Sequence, residues 1–177
     1  MSRMSNVLLN QFEEAIRQRN PNLADRLQPG LSGEQIKKML QDTGIEGGVE
    51  PIVNLFSWRN GSQFDVGVRL AEVTLFPESV YILTDLKTMI EHFEMFHDGF
   101  VYHPKFDEAD GRYFPLFWDN ATGYLAVDLK SPNSRVVLLD PESEDLAREA
   151  YSSFDEFLKD AIRANEEGDS LAFFHDW

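Results

Sequence analysis

The chain has 177 residues, no cysteine, and 31 acidic against 16 basic residues, which gives a formal net charge of −15. This length fits one ordinary domain, and the lack of cysteine excludes disulfides and thiolate metal sites. No segment approaches the ~20 apolar residues that a membrane helix needs, and the short apolar run at 7–9 does not resemble a signal peptide. We therefore expect a cytoplasmic protein that neither spans a membrane nor is secreted.

The excess negative charge is confined to residues 61–177, which hold 24 acidic and nine basic residues. Such a field repels phosphate backbones and anionic membranes, and it speeds encounters with cationic surfaces. Direct binding to nucleic acid or to a membrane is therefore disfavoured, and a basic protein partner is favoured. The alternative is that the charge serves solubility alone.

Three N-terminal helices are predicted from apolar residues at helical spacing and from their end signals, over residues 7–19, 32–44 and 51–60. Asn20-Pro21 ends the first helix, because the residue before a proline is pushed out of the helical region. Ser32 and Gln35 have the spacing of a capping box, and Gly44 suits a left-handed exit. Pro51 suits the first position of the third helix.

The apolar period changes to every second residue after position 61, which predicts strands at 64–70, 73–76, 80–83, 100–103, 113–118, 124–129 and 135–139. A helix capped by Thr84 and ended by Gly99 separates the early strands from the later ones. Short turns join the last three strands, which must therefore be antiparallel, because parallel pairing needs a longer crossover.

A closing helix is predicted over residues 153–166, opened by a second capping box at Ser153 and Glu156. The predicted class is α+β, a single domain over 1–177 with an antiparallel sheet packed by helices on one face. Its parts are the N-terminal helices 7–60, a strand and helix core 64–140, the closing helix, and an aromatic tail at 170–177. This tail either packs on the protein's own core or is exposed for a partner or dimer contact.

Three stretches, at residues 27–61, 75–93 and 113–158, carry recurring features in order. These are an aromatic-x-Asn-Gly turn, a Phe-Pro entering a strand, a turn glycine, a strand ending near an Asp, and a Ser-Phe-x-x-Phe-Leu helix. Together they resemble the SUKH superfamily, in particular its branch similar to fungal cell-wall-assembly regulators. The matching residues are Trp58, Asn60, Gly61, Phe114, Pro115, Gly123, Asp128, Ser153, Phe154, Phe157 and Leu158. The Gly47–Pro51 segment departs from the family's tighter Leu-Pro helix entry, and the turn at 120–123 is less rich in glycine.

The resemblance implies a binding scaffold, since bacterial members look like immunity proteins that neutralise toxins and fungal relatives look like regulators. No catalytic residue and no cofactor come with the family. We therefore expect a non-enzymatic domain, a monomer or weak dimer, that neutralises a bacterial toxin by direct binding. The alternatives are a regulatory interaction module without a toxin partner and a carboxylate-based hydrolase, since 31 acidic residues leave room for a catalytic pair.

Metal chemistry finds little support in the sequence. Glu94 and His97 have the Glu-x-x-His spacing of di-iron sites, but those sites need a second copy and two further Glu. His92 and His97 are five residues apart, which does not place both on one helical face. We therefore expect no metal site.

Two acidic clusters flank the predicted strands at 113–139. They comprise Asp107, Glu108 and Asp110 before the strands, and Glu142, Glu144 and Asp145 after them. If the strands bring these loops together, they form an anionic rim suited to the Lys and Arg residues of a partner. The alternative is that both are ordinary solvated loops.

Overall fold

A computed structural model describes residues 3–63, 72–97 and 111–176. The helices in this part of the chain are α1 Arg3–Arg19, α2 Pro21–Arg26, α3 Gly33–Asp42, α4 Glu50–Trp58, α5 Leu86–His97 and α6 Phe154–Glu167, with a 3-10 helix at Ala172–Asp176. The strands are β1 Leu27–Pro29, β2 Arg59–Ser62, β3 Tyr113–Trp118, β4 Tyr124–Asp128, β5 Val136–Leu139 and β6 Ala147–Tyr151. The predicted α+β class is confirmed. The strands predicted at 64–70 and 100–103 lie outside the described residues.

The end signals of the N-terminal helices are mostly confirmed. Ser32 Oγ accepts the Gln35 N–H at 3.2 Å and Gln35 Oε1 accepts the Ser32 N–H at 3.0 Å, which is the predicted capping box. Asn20-Pro21 ends α1, but the same pair also begins α2, which sequence patterns missed. The Asn20 side chain accepts the N–H of Leu23, and Pro21 takes the first helical position, where its missing N–H costs nothing.

The described strands form a two-stranded sheet, β1–β2, and a four-stranded sheet in the order β3–β4–β5–β6, with every pair antiparallel. Strands predicted at 73–76 and 80–83 are wrong. In those ranges only Ile82 forms a β-bridge, through two backbone hydrogen bonds to Trp118 of 2.8 and 3.1 Å. Leu83 accepts the N–H of Ser62 at 2.9 Å, so residues 82–83 connect the two sheets.

The four-stranded sheet contains β6, which sequence patterns also missed because its residues are largely polar and partly exposed, as at the edge of a sheet. Strands β4 and β5 are buried on both faces, whereas the prediction described packing by helices on one face. Leu125 and Val127 join the main core, whereas Tyr124 and Ala126 join a smaller cluster with Phe96 of α5. Such continuous apolar runs are typical of strands covered on both sides.

Aromatic rings join the helices to the sheet in the main core. The buried ring of Phe76 lies 5.8 Å from Phe12 of α1, 5.4 Å from Phe117 of β3 and 5.7 Å from Phe157 of α6. The alternation at residues 73–76 therefore reflects burial of loop side chains in this core and not a strand. No helix within the described ranges is long and apolar enough to cross a membrane.

The described part of the C-terminal tail packs on the protein's own core and is not exposed for a partner or dimer contact. Leu171 is fully buried, and the ring of Phe173 contacts the ring of Tyr151 at 5.7 Å. Phe174 stacks on Tyr81 with 6.1 Å between ring centroids. The tail thus closes the core beside the edge strand β6.

Asp128, at the end of β4, is a fully buried carboxylate that binds two arginines. Arg112 donates to both of its oxygens at 2.9 and 2.7 Å, and Arg135 donates at 2.6 Å. Burial alone would raise the pKa of Asp128, but these hydrogen bonds and one from the Lys130 N–H outweigh it and lower the pKa to about 2. The carboxylate therefore stays charged and joins β4 to the segments before β3 and before β5.

Replacing this carboxylate tests its contribution to stability. We expect Asp128→Asn to lower the free energy of unfolding at pH 7 by about 3 kcal/mol, because two arginines lose a buried partner. A lowered folded pKa stabilises the protein at pH values above the unfolded pKa of ~3.9, and this stabilisation is lost as the pH falls towards about 2. Urea unfolding should therefore show the two proteins converging between about pH 4 and pH 2. The control is Asp145→Asn in an exposed turn, and a difference that does not change with pH would contradict this account.

Candidate functional site

Two turns meet at one end of the four-stranded sheet. Trp118 of β3 pairs with Tyr124 of β4, Tyr124 pairs with Leu139 of β5, and Leu139 pairs with Ala147 of β6. The β3–β4 turn, residues 119–123, and the β5–β6 turn, residues 140–146, therefore leave the sheet side by side. Neither turn contains a lysine or an arginine.

These turns carry a cluster of carboxylates that we term the acidic end: Asp119, Asp140, Glu142, Glu144 and Asp145. The last three are exposed, and Asp119 and Asp140 are half-buried. The structure thus places one half of the predicted anionic rim in the β5–β6 turn. The other half, Asp107, Glu108 and Asp110, lies outside the described residues, so the joining of the two halves stays a prediction.

Asp119 is the most perturbed member of the acidic end. Burial of its carboxylate raises the pKa of Asp119, and the charge of Asp140 raises it further. Hydrogen bonds from the N–H groups of Ala121, at 2.7 Å, and Gly123 lower this pKa, but the net change is an increase. Tyr81 lies against the same pair, and its pKa is raised by burial first and by Asp119 and Asp140 next. This pairing concentrates negative charge between β3 and β5.

A carboxylate pair with one raised pKa is the arrangement that a carboxylate-based hydrolase needs. A cavity lies beside this pair, but its walls include the neighbouring residues Trp118 and Asn120 and do not include Asp119 or Asp140. Within residues 3–63, 72–97 and 111–176, no three His, Asp or Glu side chains lie close enough to hold a metal ion.

The cavity beside the acidic end has a volume of about 390 Å³ and lies where residues 82–83 connect the two sheets. This is within the range of ligand-binding clefts, roughly 300–1,000 Å³. We term it the seam cavity, and its walls are Gln28, Asn60, Ser62, Ile82, Leu83, Thr84, Asp85, Thr88, Trp118 and Asn120. Sequence reasoning missed it, because its walls come from both sheets and from the start of α5.

The start of α5 shapes one wall of this cavity. Asn60 Oδ1 accepts the Leu86 N–H at 2.9 Å, and Asp85 Oδ1 accepts the Thr88 N–H at 3.1 Å. The prediction that Thr84 caps this helix is therefore wrong. Its Oγ1 is buried and has no hydrogen-bond partner in the part of the chain that the structure describes.

The residues that carry the family resemblance occupy mainly structural positions. Gly61 has φ +91°, and a Cβ there would lie 2.7 Å from the Asp85 nitrogen, so glycine permits the close contact of β2 with α5. A Cβ at Gly123 would lie 2.5 Å from Asp119 Oδ2. The indole of Trp58 donates to Glu13 at 3.0 Å. Six more lie in β3, the core or the arginine network: Phe114, Pro115, Asp128, Phe154, Phe157 and Leu158.

The second predicted capping box is confirmed only in part. Ser153 Oγ accepts the Glu156 N–H at 3.2 Å, as expected for the first residue before α6. The Glu156 carboxylate instead accepts a hydrogen bond from the Ser152 hydroxyl. The helix still begins where predicted, because one capping bond and the buried Phe154 and Phe157 are enough to define its start.

The cap that Asn60 supplies can be tested by substitution. We expect Asn60→Ala to destabilise the protein by about 1 kcal/mol, because the first N–H of α5 loses its acceptor. Asn60→Asp keeps an acceptor in place and should retain most of the stability. Denaturant unfolding measures both variants, and equal losses in the two would show that the side-chain oxygen does not cap α5.

Comparisons of this chain with family models and with curated proteins gave no match. The resemblance to the SUKH superfamily therefore stays a prediction from the sequence motifs. Independently of that resemblance, the structure shows an acidic end whose turns contain no lysine or arginine. Beside it lies a cavity at the point where residues 82–83 connect the two sheets.

Proposed function

We propose that this chain is a SUKH-like immunity protein that neutralises a bacterial toxin by binding a basic toxin domain through the acidic end. The observation that carries this proposal is the placement of five carboxylates on two adjacent turns that contain no lysine or arginine. A basic partner surface complements this arrangement, and phosphate backbones or anionic membranes do not.

The acidic end is held in place before any partner binds. Asp119 Oδ1 accepts the Ala121 N–H at 2.7 Å, and Asp140 Oδ1 accepts the Glu142 N–H at 2.9 Å. Asp140 also donates its own N–H to the Leu146 carbonyl at 3.0 Å, which closes the β5–β6 turn. Because these bonds order the turns, little conformational entropy is lost when a partner docks.

The exposed carboxylates and the anchors of such a complex have different roles. Charges at an interface rim mainly raise the association rate and the salt dependence, because solvent screens their attraction once the complex has formed. Tight binding requires a few desolvated anchor residues near the centre of the interface. The acidic end therefore guides a basic partner into the complex. Binding then covers the functional surface of the partner, which neutralises the partner without catalysis.

Charge reversal tests the acidic end directly. The variant Glu142→Lys/Glu144→Lys/Asp145→Lys is compared with a matched control, Asp42→Lys/Glu46→Lys/Glu166→Lys, which changes three exposed carboxylates elsewhere. The proposal predicts that a basic toxin domain is encoded next to this reading frame, and the lack of such a reading frame would contradict the proposal. That domain is the probe, and stopped-flow mixing measures its association rate. We expect the first variant to slow association about tenfold or more at low salt, with the difference shrinking at high salt. Equal slowing in both variants would contradict a localised surface.

Growth of cells that express the same toxin domain gives the functional readout. The wild-type chain and the control should restore growth, and the acidic-end variant should restore it poorly at matched expression. Binding without any restoration of growth would instead support a regulatory interaction module. Loss of toxicity without a stable complex would favour the hydrolase alternative, and an Asp119→Asn variant would then test its carboxylate pair.

A further inference from the structure

Two hydroxyl groups on the walls of the seam cavity, those of Ser62 and Thr88, donate their hydrogens within the protein. Ser62 Oγ donates to the Leu83 carbonyl at 3.1 Å, and Thr88 Oγ1 donates to Asp85 Oδ2 at 2.9 Å. Their remaining lone pairs can only accept hydrogen bonds, as can the Asp85 carboxylate. A ligand in this cavity therefore gains most if it brings donors.

Two nitrogen donors of the walls are also engaged elsewhere. Gln28 Nε2 donates to the Arg26 carbonyl at 3.2 Å, and Trp118 Nε1 donates to the Ala121 carbonyl at 3.0 Å. Gln28 thus keeps its amide oxygen as an acceptor, and its NH2 group has one further hydrogen to donate. Trp118 has no second donor and contributes only the face and edge of its indole ring.

One hydroxyl group beside the cavity is left without a partner in the described part of the chain. Thr84 is a lining residue, and its Oγ1 is buried and makes no hydrogen bond within the described residues, so this hydroxyl can either donate or accept. Burial of an unpaired hydroxyl destabilises the folded state, so such groups are normally satisfied by a ligand, a side chain or water. The position of Thr84 points to an occupant that reaches the inner wall.

The charge of the cavity favours a cation. Among the residues that the structure describes, Asp85 is the one charged residue on the walls, and no described lysine, arginine or histidine lines the cavity. The first amide hydrogens of α5 do not offer an anion site, because Asn60 and Asp85 already accept those of Leu86 and Thr88. The acidic end adjoins the cavity through Asp119, which lies between the lining residues Trp118 and Asn120.

We propose that the seam cavity binds the side chain of an arginine from the protein partner, an inference that rests on the proposed function. Arginine has five N–H donors and no acceptor, which matches the Asp85 carboxylate and the lone pairs of Ser62 and Thr88 on the walls. Its planar guanidinium also stacks on aromatic rings such as the indole of Trp118. This arginine is the desolvated anchor of the complex, and the acidic end guides it to the cavity.

Short peptides test the cavity without a toxin. The probes are acetyl-Gly-Arg-Gly-amide and the same peptide with citrulline, which has nearly the shape of arginine but no charge. Nuclear magnetic resonance follows the indole N–H of Trp118 and the amides of Thr84 and Thr88 in the full chain. We expect saturable shifts with the arginine peptide and binding at least about tenfold weaker with citrulline. Equal binding of the two peptides, or no response of these resonances, would overturn the proposal.

Three variants separate binding from folding. Asp85→Asn removes the charge but keeps a capping oxygen, and Thr84→Val removes the unpaired hydroxyl. Both should weaken binding of the arginine peptide by about fivefold or more, and Thr84→Val should also raise the melting temperature. The matched control is Ser57→Ala, since Ser57 Oγ is likewise buried without a partner in the described part of the chain but does not line this cavity. It should raise the melting temperature and leave binding unchanged.

The toxin domain distinguishes failure of this inference from failure of the proposed function. If charge reversal at the acidic end slows association while Asp85→Asn and Thr84→Val leave the dissociation rate unchanged, the arginine site is wrong and the proposed function stands. If the two cavity variants speed dissociation about fivefold or more, the anchor is supported. Peptide binding in the cavity with no effect of the acidic end on the toxin domain would overturn the proposed function alone.

Discussion

The backbone pairing of residues 82–83 with both sheets is the constraint on which the rest of this structure depends. Ile82 exchanges two hydrogen bonds with Trp118, and Leu83 accepts one from Ser62. This short segment fixes the distance between β2 and β3, and the helix that follows it is capped from β2 by Asn60. The same segment supplies Ile82 and Leu83 to the wall of the seam cavity, so the connection between the sheets also shapes the cavity.

The charges of the molecule divide into two groups with different physical roles. Asp128 binds Arg112 and Arg135, and Glu13 binds Arg59 at 2.6 Å together with the indole of Trp58. These carboxylates join separate elements and are screened from a partner by their own arginines. The carboxylates of the acidic end lie on two turns that contain no lysine or arginine, so these turns carry a local excess of negative charge. The proposed interface follows from this separation.

Local signals predicted the elements whose residues are close in sequence. The Ser32 capping box, the start of α6 at Ser153 and the meander β3–β5 depend on spacings of a few residues or on short turns, and the structure confirms them. Helix α2 and strand β6 were missed, because a proline that ends one helix can begin another and because an edge strand need not alternate. The strands predicted at 73–76 and 80–83 failed, since alternation there reflects burial of loop residues such as Phe76.

The sequence by itself determined the α+β class, the antiparallel meander and the concentration of negative charge after residue 60, because composition and periodicity carry this information directly. It also identified Glu142, Glu144 and Asp145 as an acidic cluster. Only the tertiary structure decided that Asp119 and Asp140 lie together beside them and that Asn60 caps a helix 26 residues away. It alone shows that the Oγ1 of Thr84, a residue lining the cavity, has no hydrogen-bond partner among the described residues. Contacts between distant segments depend on how the core packs, and no local spacing of residues records them.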